Sequence, residues 1–508
     1  MEPYDTASAA GPFAASTSLF SHLIDDLHDP ASQYLTHDEL EELLDDRGRA
    51  LLRQLLQDHL DLRAQAEESA ARTVPSRPLG PDLIPRPRLE GGHPRLLATV
   101  FGKVTVSRCA WRAPGRPNCH PADAALGLPR GRHSFTLGKL AALEAVRGSF
   151  DAAAEAIGRR CGKVIAKHAL EQQVLAAAGD IDAFYRARVA VPAAAATLLV
   201  ISVDGKGIVM RPEALRAGTA RAAKRGRAMR TRLAGGEKSN RKRMATLAAV
   251  YDAEPAVRRP HDVIAPPGGR SGDRTLRPGP KAQLTWLTGS VKRDAAEVIA
   301  DAFRVVEDRD PGHRRTWVVL VDGAPHQIEL ITAEAARRHA PIHIVIDLVH
   351  VLEYLWTAAW CFHQAADPAA EDWVAGKALA VLAGRAEAVA AQITEAANAA
   401  GLAEADRRGA DKCVQYLTGK QEYLHYEEAL AHGWPVATGV IEGACRHLIA
   451  DRLDITGARW GLEGAEAVLT LRAVMANGDF DRYWRFHTAR ERDRLYPRPE
   501  QRGFALGA

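Results

Sequence analysis

The chain has 508 residues, of which 46% are hydrophobic and 26% are charged, and its net charge is +4. This composition is typical of a soluble globular protein and excludes a fibrous or wholly disordered chain. The length allows about three domains at roughly 150 residues each. No uncharged stretch reaches the ~20 residues of a membrane helix, and the acidic N-terminus lacks a signal pattern. We therefore expect a cytoplasmic protein with no membrane partner.

Residues 1–95 are predicted to hold a leader, one long helix and a linker. The first 30 residues are rich in Ala, Ser and Gly and predict a loose leader. Thr36 and Glu39 have the spacing of a capping box, and leucines at helical spacing then extend the predicted helix to about Ala70. Several prolines between 74 and 95 indicate a linker.

Residues 96–190 are predicted to combine a small β segment with a helical region. The run from Thr99 to Trp111 alternates in the manner of a strand and predicts a hairpin or short sheet. Residues 136–187 are helical in pattern, with a short turn around Gly162 and a further helix from Lys163. A helix, a short glycine-containing turn and a second helix form the outline of a helix-turn-helix. A plain helical bundle would give the same pattern.

Three short runs in the middle of the chain are apolar at nearly every position, which predicts strands buried on both faces. A helical stretch, Pro325–His339, joins the last two runs in a βαβ unit. Two further strands are expected at 244–251 and 284–291. The three buried runs are Leu198–Val203, Trp317–Val321 and Ile342–Ile346.

These strands belong to a predicted mixed α/β domain that spans 191–486. From about 348 to 430 the chain is helical in pattern and has no strand signal. A later helix carries Glu442, and another covers about 464–486. The last residues, 487–508, are expected to form a tail.

Each of the three buried runs is followed by an aspartate, namely Asp204, Asp322 and Asp347. Ligands bind at the carboxyl ends of strands in open α/β sheets, although a single aspartate there could instead cap the next helix. Clustered carboxylates repel one another unless a cation or a proton lies between them. Hard oxygen ligands suit Mg²⁺ or Mn²⁺. With Glu442, the pattern predicts a site for two such ions, which can assist a phosphoryl displacement.

Six segments carry a more specific pattern. They are TVFGKVTVSR (99–108), SVDGKG (202–207), WVVLVDGAPHQIE (317–329), IDLVHVLEYLW (346–356), GVIEGACRHL (439–448) and ITGARWGLEGAEAVLTLRA (455–473). In these segments the chain resembles DDE transposases of bacterial insertion sequences, in particular the ISKra family. The resemblance extends from the helix at 38–64 to Trp484. It implies an RNase H-like, retroviral-integrase-like catalytic core. In that core the first Asp lies on the first strand, the second follows the fourth strand, and the Glu lies on a helix after the fifth.

Carried over to this chain, the implied catalytic and metal-binding residues are Asp204, Asp322 and Glu442. They would bind two Mg²⁺ or Mn²⁺ ions. The long separation between Asp322 and Glu442 fits a helical insertion across about 360–430, as in Mutator-like relatives.

Asp347 competes with Asp322 for the second catalytic position. We favour Asp322, because the strand adjacent to the first one should carry the second carboxylate. Asp347 and His350 could line the site or orient flanking DNA. The alternative is that Asp347 caps a helix and His350 is a core histidine.

The segment 211–243 is strongly basic, with twelve Lys or Arg against two Glu. It could be a solvated loop between two strands. With the resemblance, contact with the DNA backbone is favoured, since each neutralised phosphate releases counterions. Trp460 could pack in the core or stabilise a flipped base. The DNA-binding candidates are Arg225, Arg227, Arg230, Arg232, Lys242 and Arg243.

The resemblance implies a DNA transposase that binds terminal inverted repeats and catalyses metal-dependent strand cleavage and strand transfer. If 144–175 is a helix-turn-helix, its second helix would enter the major groove. The expected partner is double-stranded DNA, both element ends and target, bound by a homodimer or larger assembly at the nucleoid. Two other functions remain open. One is an RNase H-like structure-specific nuclease of the junction-resolvase type, and the other is a catalytically silent, domesticated DNA-binding protein.

Overall fold

The computed structural model describes residues 11–73, 78–80, 82, 84–188, 197–225, 241–269, 275–455 and 457–497. The chain divides into two compact units, one of Met1–Asp180 with Asp481–Ala508 and one of Ile181–Phe480. Among the described helices, none is both long enough and apolar enough to cross a bilayer.

The described residues form nineteen α-helices and seven β-strands. The helices up to the end of the sheet are α1 Ala14–His28, α2 His37–Thr73, α3 Pro121–Ala125, α4 Phe135–Arg147, α5 Phe150–Cys161, α6 Lys167–Ala178, α7 Ile181–Arg186, α8 Ala217–Arg225, α9 Pro260–Val263, α10 Ala295–Arg309 and α11 Pro325–Arg337. The later helices are α12 Leu348–Ala359, α13 Pro368–Leu382, α14 Ala386–Ala399, α15 Glu404–Gly419, α16 Tyr426–Ala431, α17 Gly439–Ala444, α18 Leu462–Ala476 and α19 Phe480–Leu495. The strands are β1 Arg88–Thr99, β2 Gly102–Arg112, β3 Leu198–Val209, β4 Lys242–Ala253, β5 Ala282–Ser290, β6 Trp317–Val321 and β7 Ile342–Ile346.

The long helix α2 begins at its predicted capping box. The Glu39 carboxylate accepts a hydrogen bond from the backbone N of Thr36 at 2.8 Å, and the Thr36 hydroxyl accepts one from the backbone N of Glu39 at 3.4 Å. These bonds satisfy donors that the first turn of a helix leaves open. The predicted helix is confirmed, and it ends three residues beyond the expected Ala70.

The prediction of a loose leader over residues 1–30 is wrong for Ala14–His28, because α1 forms there and packs on α2. Residues 1–10 lie outside the described residues. Leu19, Leu23 and Leu27 recur every four residues and are partly buried, as expected for one face of a helix. The backbone N of Ser16 donates to the Asp58 carboxylate of α2 at 3.0 Å.

The hairpin is confirmed, but its first strand lies partly within the predicted linker. β1 and β2 pair in antiparallel fashion from Arg88 opposite Arg112 to Thr99 opposite Gly102. Their sheet has two strands, so both are edge strands. An edge strand tolerates Pro94 of β1, which is why the prolines did not mark a linker as far as residue 95.

The predicted helical region of the first unit consists of α4, α5 and α6, which pack on one another. Ser134 and Ser149 cap the first two, each accepting a hydrogen bond from a backbone N three residues later at 3.1 Å. Gly162 ends α5 with a φ of 73°, a conformation that favours glycine. α6 begins at Lys167, four residues later than predicted. The helix-turn-helix outline is therefore present, and its binding to DNA remains a prediction.

The second unit contains a five-stranded mixed sheet with the order β5-β4-β3-β6-β7. β3, β4 and β5 are antiparallel neighbours, whereas β6 and β7 run parallel to β3. The five predicted strands are confirmed, and α11 joins β6 to β7 in the predicted βαβ unit. All residues of β6 are buried, which explains why its sequence is a continuous apolar run.

Two long insertions lie between elements of this unit. The basic segment connects the end of β3 to the start of β4, and its described part contains α8. Residues 226–240 of this segment lie outside the described residues. Between β7 and α17 the chain forms α12 to α16, which confirms the helical pattern predicted for 348–430. A π-helical turn, Cys445–Ala450, follows α17 directly.

Candidate functional site

Asp204 and Asp322 belong to two neighbouring parallel strands. β3 and β6 are paired with Ser202 opposite Leu320, and each aspartate lies two residues beyond its member of that pair. The pleat repeats every two residues and neighbouring strands are about 4.8 Å apart. The two aspartates therefore lie at the same level of the sheet. The strand that ends at Asp322 is the parallel neighbour of the Asp204 strand.

Asp347 continues this row on the next strand. β6 and β7 are paired with Val321 opposite Ile346, so Asp322 and Asp347 each follow a paired residue. The backbone N of Asp347 also donates to the carbonyl O of Val321 at 2.8 Å. The three aspartates thus lie side by side across three adjacent parallel strands. Asp322 and Asp347 follow the ends of β6 and β7, where ligands bind in open α/β sheets, whereas β3 continues beyond Asp204 to Val209.

Asp204 is half-buried, and both of its carboxylate oxygens have a hydrogen-bond donor. Oδ1 accepts from the backbone N of Gly205 at 2.6 Å, and Oδ2 lies 3.2 Å from the thiol Sγ of Cys445. Burial, and after it the negative charge of Asp204, raises the pKa of the Cys445 thiol. The thiol therefore stays protonated and acts as the donor.

Asp322 is also half-buried, and its carboxylate has a single donor among the described residues. Oδ1 accepts from the backbone N of Ala324 at 2.9 Å, while the carbonyl O of Asp322 accepts from the Tyr416 hydroxyl at 3.1 Å. Gly323, the next residue, has a φ of 91°. A Cβ at Gly323 would lie 3.0 Å from the Tyr416 hydroxyl oxygen. Glycine therefore permits the turn that leaves the Asp322 carboxylate accessible.

Asp347, in contrast, is fully buried and its carboxylate is occupied by the protein. Oδ1 accepts from the backbone N of Val349 at 3.0 Å and from that of Thr438 at 3.3 Å, and Oδ2 accepts a short hydrogen bond from the Thr438 hydroxyl. Asp347 is the N-cap of α12. The helix-cap alternative considered for this residue is therefore confirmed.

Glu442 stands on α17 beside the row of aspartates. Its Oε1 lies 3.4 Å from the hydroxyl of Thr438, the residue that also contacts Asp347. Although the residue is exposed overall, partial burial of its carboxyl group raises the pKa of Glu442, and the negative charges of Asp347 and Asp204 raise it further. Glu442 therefore shares one electrostatic environment with both aspartates.

The donor chemistry of Asp204, Asp322 and Glu442 fits a hard divalent cation such as Mg²⁺ or Mn²⁺. Burial, and after it the negative charges of Asp347 and Asp204, raises the pKa of Glu442, and a cation would neutralise that negative charge. The oxygens of these three carboxylates are not all within 4.8 Å of one another. Among the described residues, a set of that kind is formed by His37, Asp38 and Glu41, exposed in the first turn of α2.

The predicted DNA-binding residues have different positions. Lys242 pairs with Asp454 at 2.7 Å. The Arg243 guanidinium donates to the carbonyl O of Val291 at 2.7 Å, and burial lowers its pKa. Both side chains are thus engaged within the protein. Arg227, Arg230, Arg232 and the side chain of Arg225 lie outside the described residues.

Two further residues considered from the sequence are placed clearly. Trp460 is 6% exposed, and its indole N donates to the carbonyl O of Leu453 at 3.0 Å, so it packs in the core and is closed to a flipped base. His350 is not a core residue, because its side chain is 38% exposed and its ring lies 3.1 Å from the Glu353 carboxylate.

Sequence reasoning did not single out Thr438 and Cys445. Thr438 lies four residues before Glu442, and Cys445 lies three residues after it. At these spacings side chains are neighbours on one face of a helix. The spacing is the signal that could have found them, once Glu442 was placed on a helix.

No known protein-family model matches this chain, and a search of curated proteins gives no match either.

Proposed function

We propose that this protein is a metal-dependent DNA transposase of the DDE type, with an RNase H-like catalytic core. The observation that carries the proposal is the row of aspartates at one sheet edge, with Glu442 beside it. The order of elements is the one that the resemblance leads us to expect. In chain order, Asp204 is on β3, the first strand of the five-stranded sheet, and Asp322 follows β6, the fourth. Glu442 is on the helix α17, after the fifth strand, β7.

In this proposal Asp204, Asp322 and Glu442 hold the metal, and their neighbours keep them in position. Two bound Mg²⁺ ions would activate the attacking oxygen and stabilise the leaving oxygen of a phosphoryl displacement. Asp322 has carboxylate lone pairs left for a ligand, because a single protein donor contacts it. Asp347 is fully buried and accepts three hydrogen bonds, so the protein closes it to a ligand. Its role is to cap α12 and, through Thr438, to fix the start of the Glu442 helix.

The basic segment supports DNA as the substrate. It begins after Val209, five residues beyond Asp204 along β3, which corresponds to about 17 Å of strand. Positive charge close to the carboxylates would bind the phosphates flanking the scissile bond and would make binding weaken steeply with salt. The exposed cations of its described part are Arg211, Arg216, Arg221 and Lys224.

The first test is nicking of supercoiled plasmid DNA by the full-length protein with Mg²⁺ or Mn²⁺. We expect nicking by the parent and none by Asp204→Ala or Glu442→Gln, with DNA binding retained in both. A matched control is Asp308→Asn, because this exposed carboxylate pairs with Arg304 at 3.1 Å on α10, away from the sheet edge. Loss of nicking in the control would show that the assay reports damage to the fold.

A second assay separates transposition from the other functions. Labelled duplexes taken from the DNA on either side of the coding sequence serve as candidate ends, and a plasmid serves as the target. A transposase joins the labelled 3′ ends to the plasmid, and we expect at least two protein copies in the active complex. Cleavage without joining would favour a structure-specific nuclease. Binding without cleavage by the parent would favour a DNA-binding protein and refute the proposal.

A further inference from the structure

The turn that follows the Glu442 helix is joined to the Asp204 strand by a thiol. Cys445 opens the π-helical turn, and its Sγ lies 3.2 Å from Asp204 Oδ2. Cys445 is 4% exposed, so few water molecules can compete for this contact. The two residues are 241 positions apart in the sequence. The contact therefore fixes two distant elements of the second unit to each other.

The helix that carries Glu442 has a contact to an aspartate on either side of Glu442. On its N-terminal side, the Thr438 hydroxyl lies between the carboxylates of Asp347 and Glu442. On its C-terminal side, Cys445 lies three residues away on the same helical face and contacts Asp204. The Glu442 helix is thus connected to the strands that carry two of the aspartates.

We infer that Cys445 is a positioning residue, whose thiol holds the Asp204 carboxylate against the Glu442 helix so that both carboxylates reach the same metal ions. This inference rests on the proposed function. The thiol donates to Oδ2 while the backbone N of Gly205 donates to Oδ1 at 2.6 Å, and the two donors together restrict rotation of the carboxylate. Each oxygen keeps a further lone pair for a metal. Outer-shell partners of this type typically change metal affinity or activity by 10–100-fold when they are removed.

The first assay is a titration of the full-length protein with Mn²⁺, in which the electron paramagnetic resonance signal reports the concentration of free ion. The second assay is Mn²⁺-dependent plasmid nicking. Cys445→Ala removes the donor, Cys445→Val removes it while filling the space, and Cys445→Ser keeps a donor. The matched control is Cys413→Ala, because Cys413 on α15 is also a buried free thiol, and among the described residues no carboxylate accepts a hydrogen bond from it. Thermal unfolding identifies variants that do not fold.

We expect Cys445→Ala and Cys445→Val to need about tenfold more Mn²⁺ for half-saturation and for half-maximal nicking, and Cys445→Ser to remain within about threefold of the parent. Cys413→Ala should lower thermal stability and leave Mn²⁺ binding unchanged. Parent-like Mn²⁺ binding by the folded Ala or Val variant, or a Ser variant as weak as they are, would overturn the inference and leave the proposed function standing. If the parent itself neither binds Mn²⁺ nor nicks DNA, the proposed function fails and the inference fails with it.

Discussion

Replacing Asp322 or Asp347 by asparagine should have opposite effects on stability and activity. Asp347 is fully buried and accepts three hydrogen bonds, one from Val349 and two from Thr438. Asparagine offers one acceptor oxygen, so its NH₂ group must face at least one of these donors. A lost hydrogen bond to a charged group is worth about 1.5–3 kcal/mol, and an unsatisfied buried donor costs about 1–3 kcal/mol. Since these two costs overlap and do not simply add, we expect Asp347→Asn to lower the free energy of unfolding by about 2–4 kcal/mol.

Asp322→Asn should change the free energy of unfolding little but should remove nearly all nicking activity. Its carboxylate accepts one hydrogen bond, from the backbone N of Ala324 at 2.9 Å, and the asparagine oxygen can accept the same bond. We therefore expect a change below about 1 kcal/mol, as for substitutions away from buried networks. In the proposed reaction the change removes one of the charges that hold the metal ions, and bound metal contributes several kcal/mol of charge stabilisation in the transition state. Nicking should fall by at least about 100-fold, since 1.36 kcal/mol corresponds to a factor of ten.

The two variants are compared by urea unfolding, followed by circular dichroism, and by Mn²⁺-dependent nicking per folded molecule. We expect Asp347→Asn to retain measurable nicking and Asp322→Asn to retain the parent's unfolding midpoint. A stable but inactive Asp347→Asn, together with an active Asp322→Asn, would refute the reasoning. In that case Asp347 would be the second metal-binding carboxylate, and its hydrogen bonds to Thr438 would have to open when metal binds.

Three further variants probe other parts of the second unit. Glu442→Gln should raise the free energy of unfolding at pH 7 by up to about 1 kcal/mol, as expected for removing a like charge near a protein surface, while abolishing nicking. Because the folded state raises the pKa of Glu442, the parent loses stability as the pH rises through that pKa. At lower pH Glu442 is protonated and uncharged, so urea unfolding should give the parent and Glu442→Gln the same free energy of unfolding near pH 4. Asp252→Ala should cost about 3–5 kcal/mol in the same assay, because it leaves Arg315, 2% exposed, without its partner at 3.1 Å; nicking per folded molecule should not change. Gly323→Ala should cost about 1–3 kcal/mol, because alanine is strained at a φ of 91°, and parent-like stability would show that the turn can relax.

The sequence predicted the strands of the sheet well because each strand carries its own signal. β6 and β7 begin and end at the predicted residues, since both are short, β-branched runs followed by an aspartate. The same local reasoning failed where the signal was weak. The leucines of α1 are interspersed with Ala, Ser and other polar residues, and β1 contains Gly91, Gly92 and Pro94, which locally favour turns.

The sheet edge was predicted, but the environment of each carboxylate was not. The partners of the aspartates come from distant parts of the chain. Cys445 contacts Asp204 across 241 residues, and Thr438 contacts Asp347 across 91. Hydrophobic periodicity carries no information about such contacts. They depend on how the helices after β7 return to the sheet.

Asp322 and Asp347 show how similar local sequences reach different roles. Both follow a five-residue strand, fully buried in β6 and partly exposed in β7, and the sequence left both open as helix caps or ligands. After Asp347 the helix α12 begins at once, and the carboxylate turns to its first backbone N–H groups, as an N-cap does. After Asp322 the glycine turn delays α11 until Pro325, and one carboxylate oxygen has no protein donor among the contacts described. The delay of two residues is what frees Asp322 for a ligand, while Asp347 is held in the packing that supports Glu442.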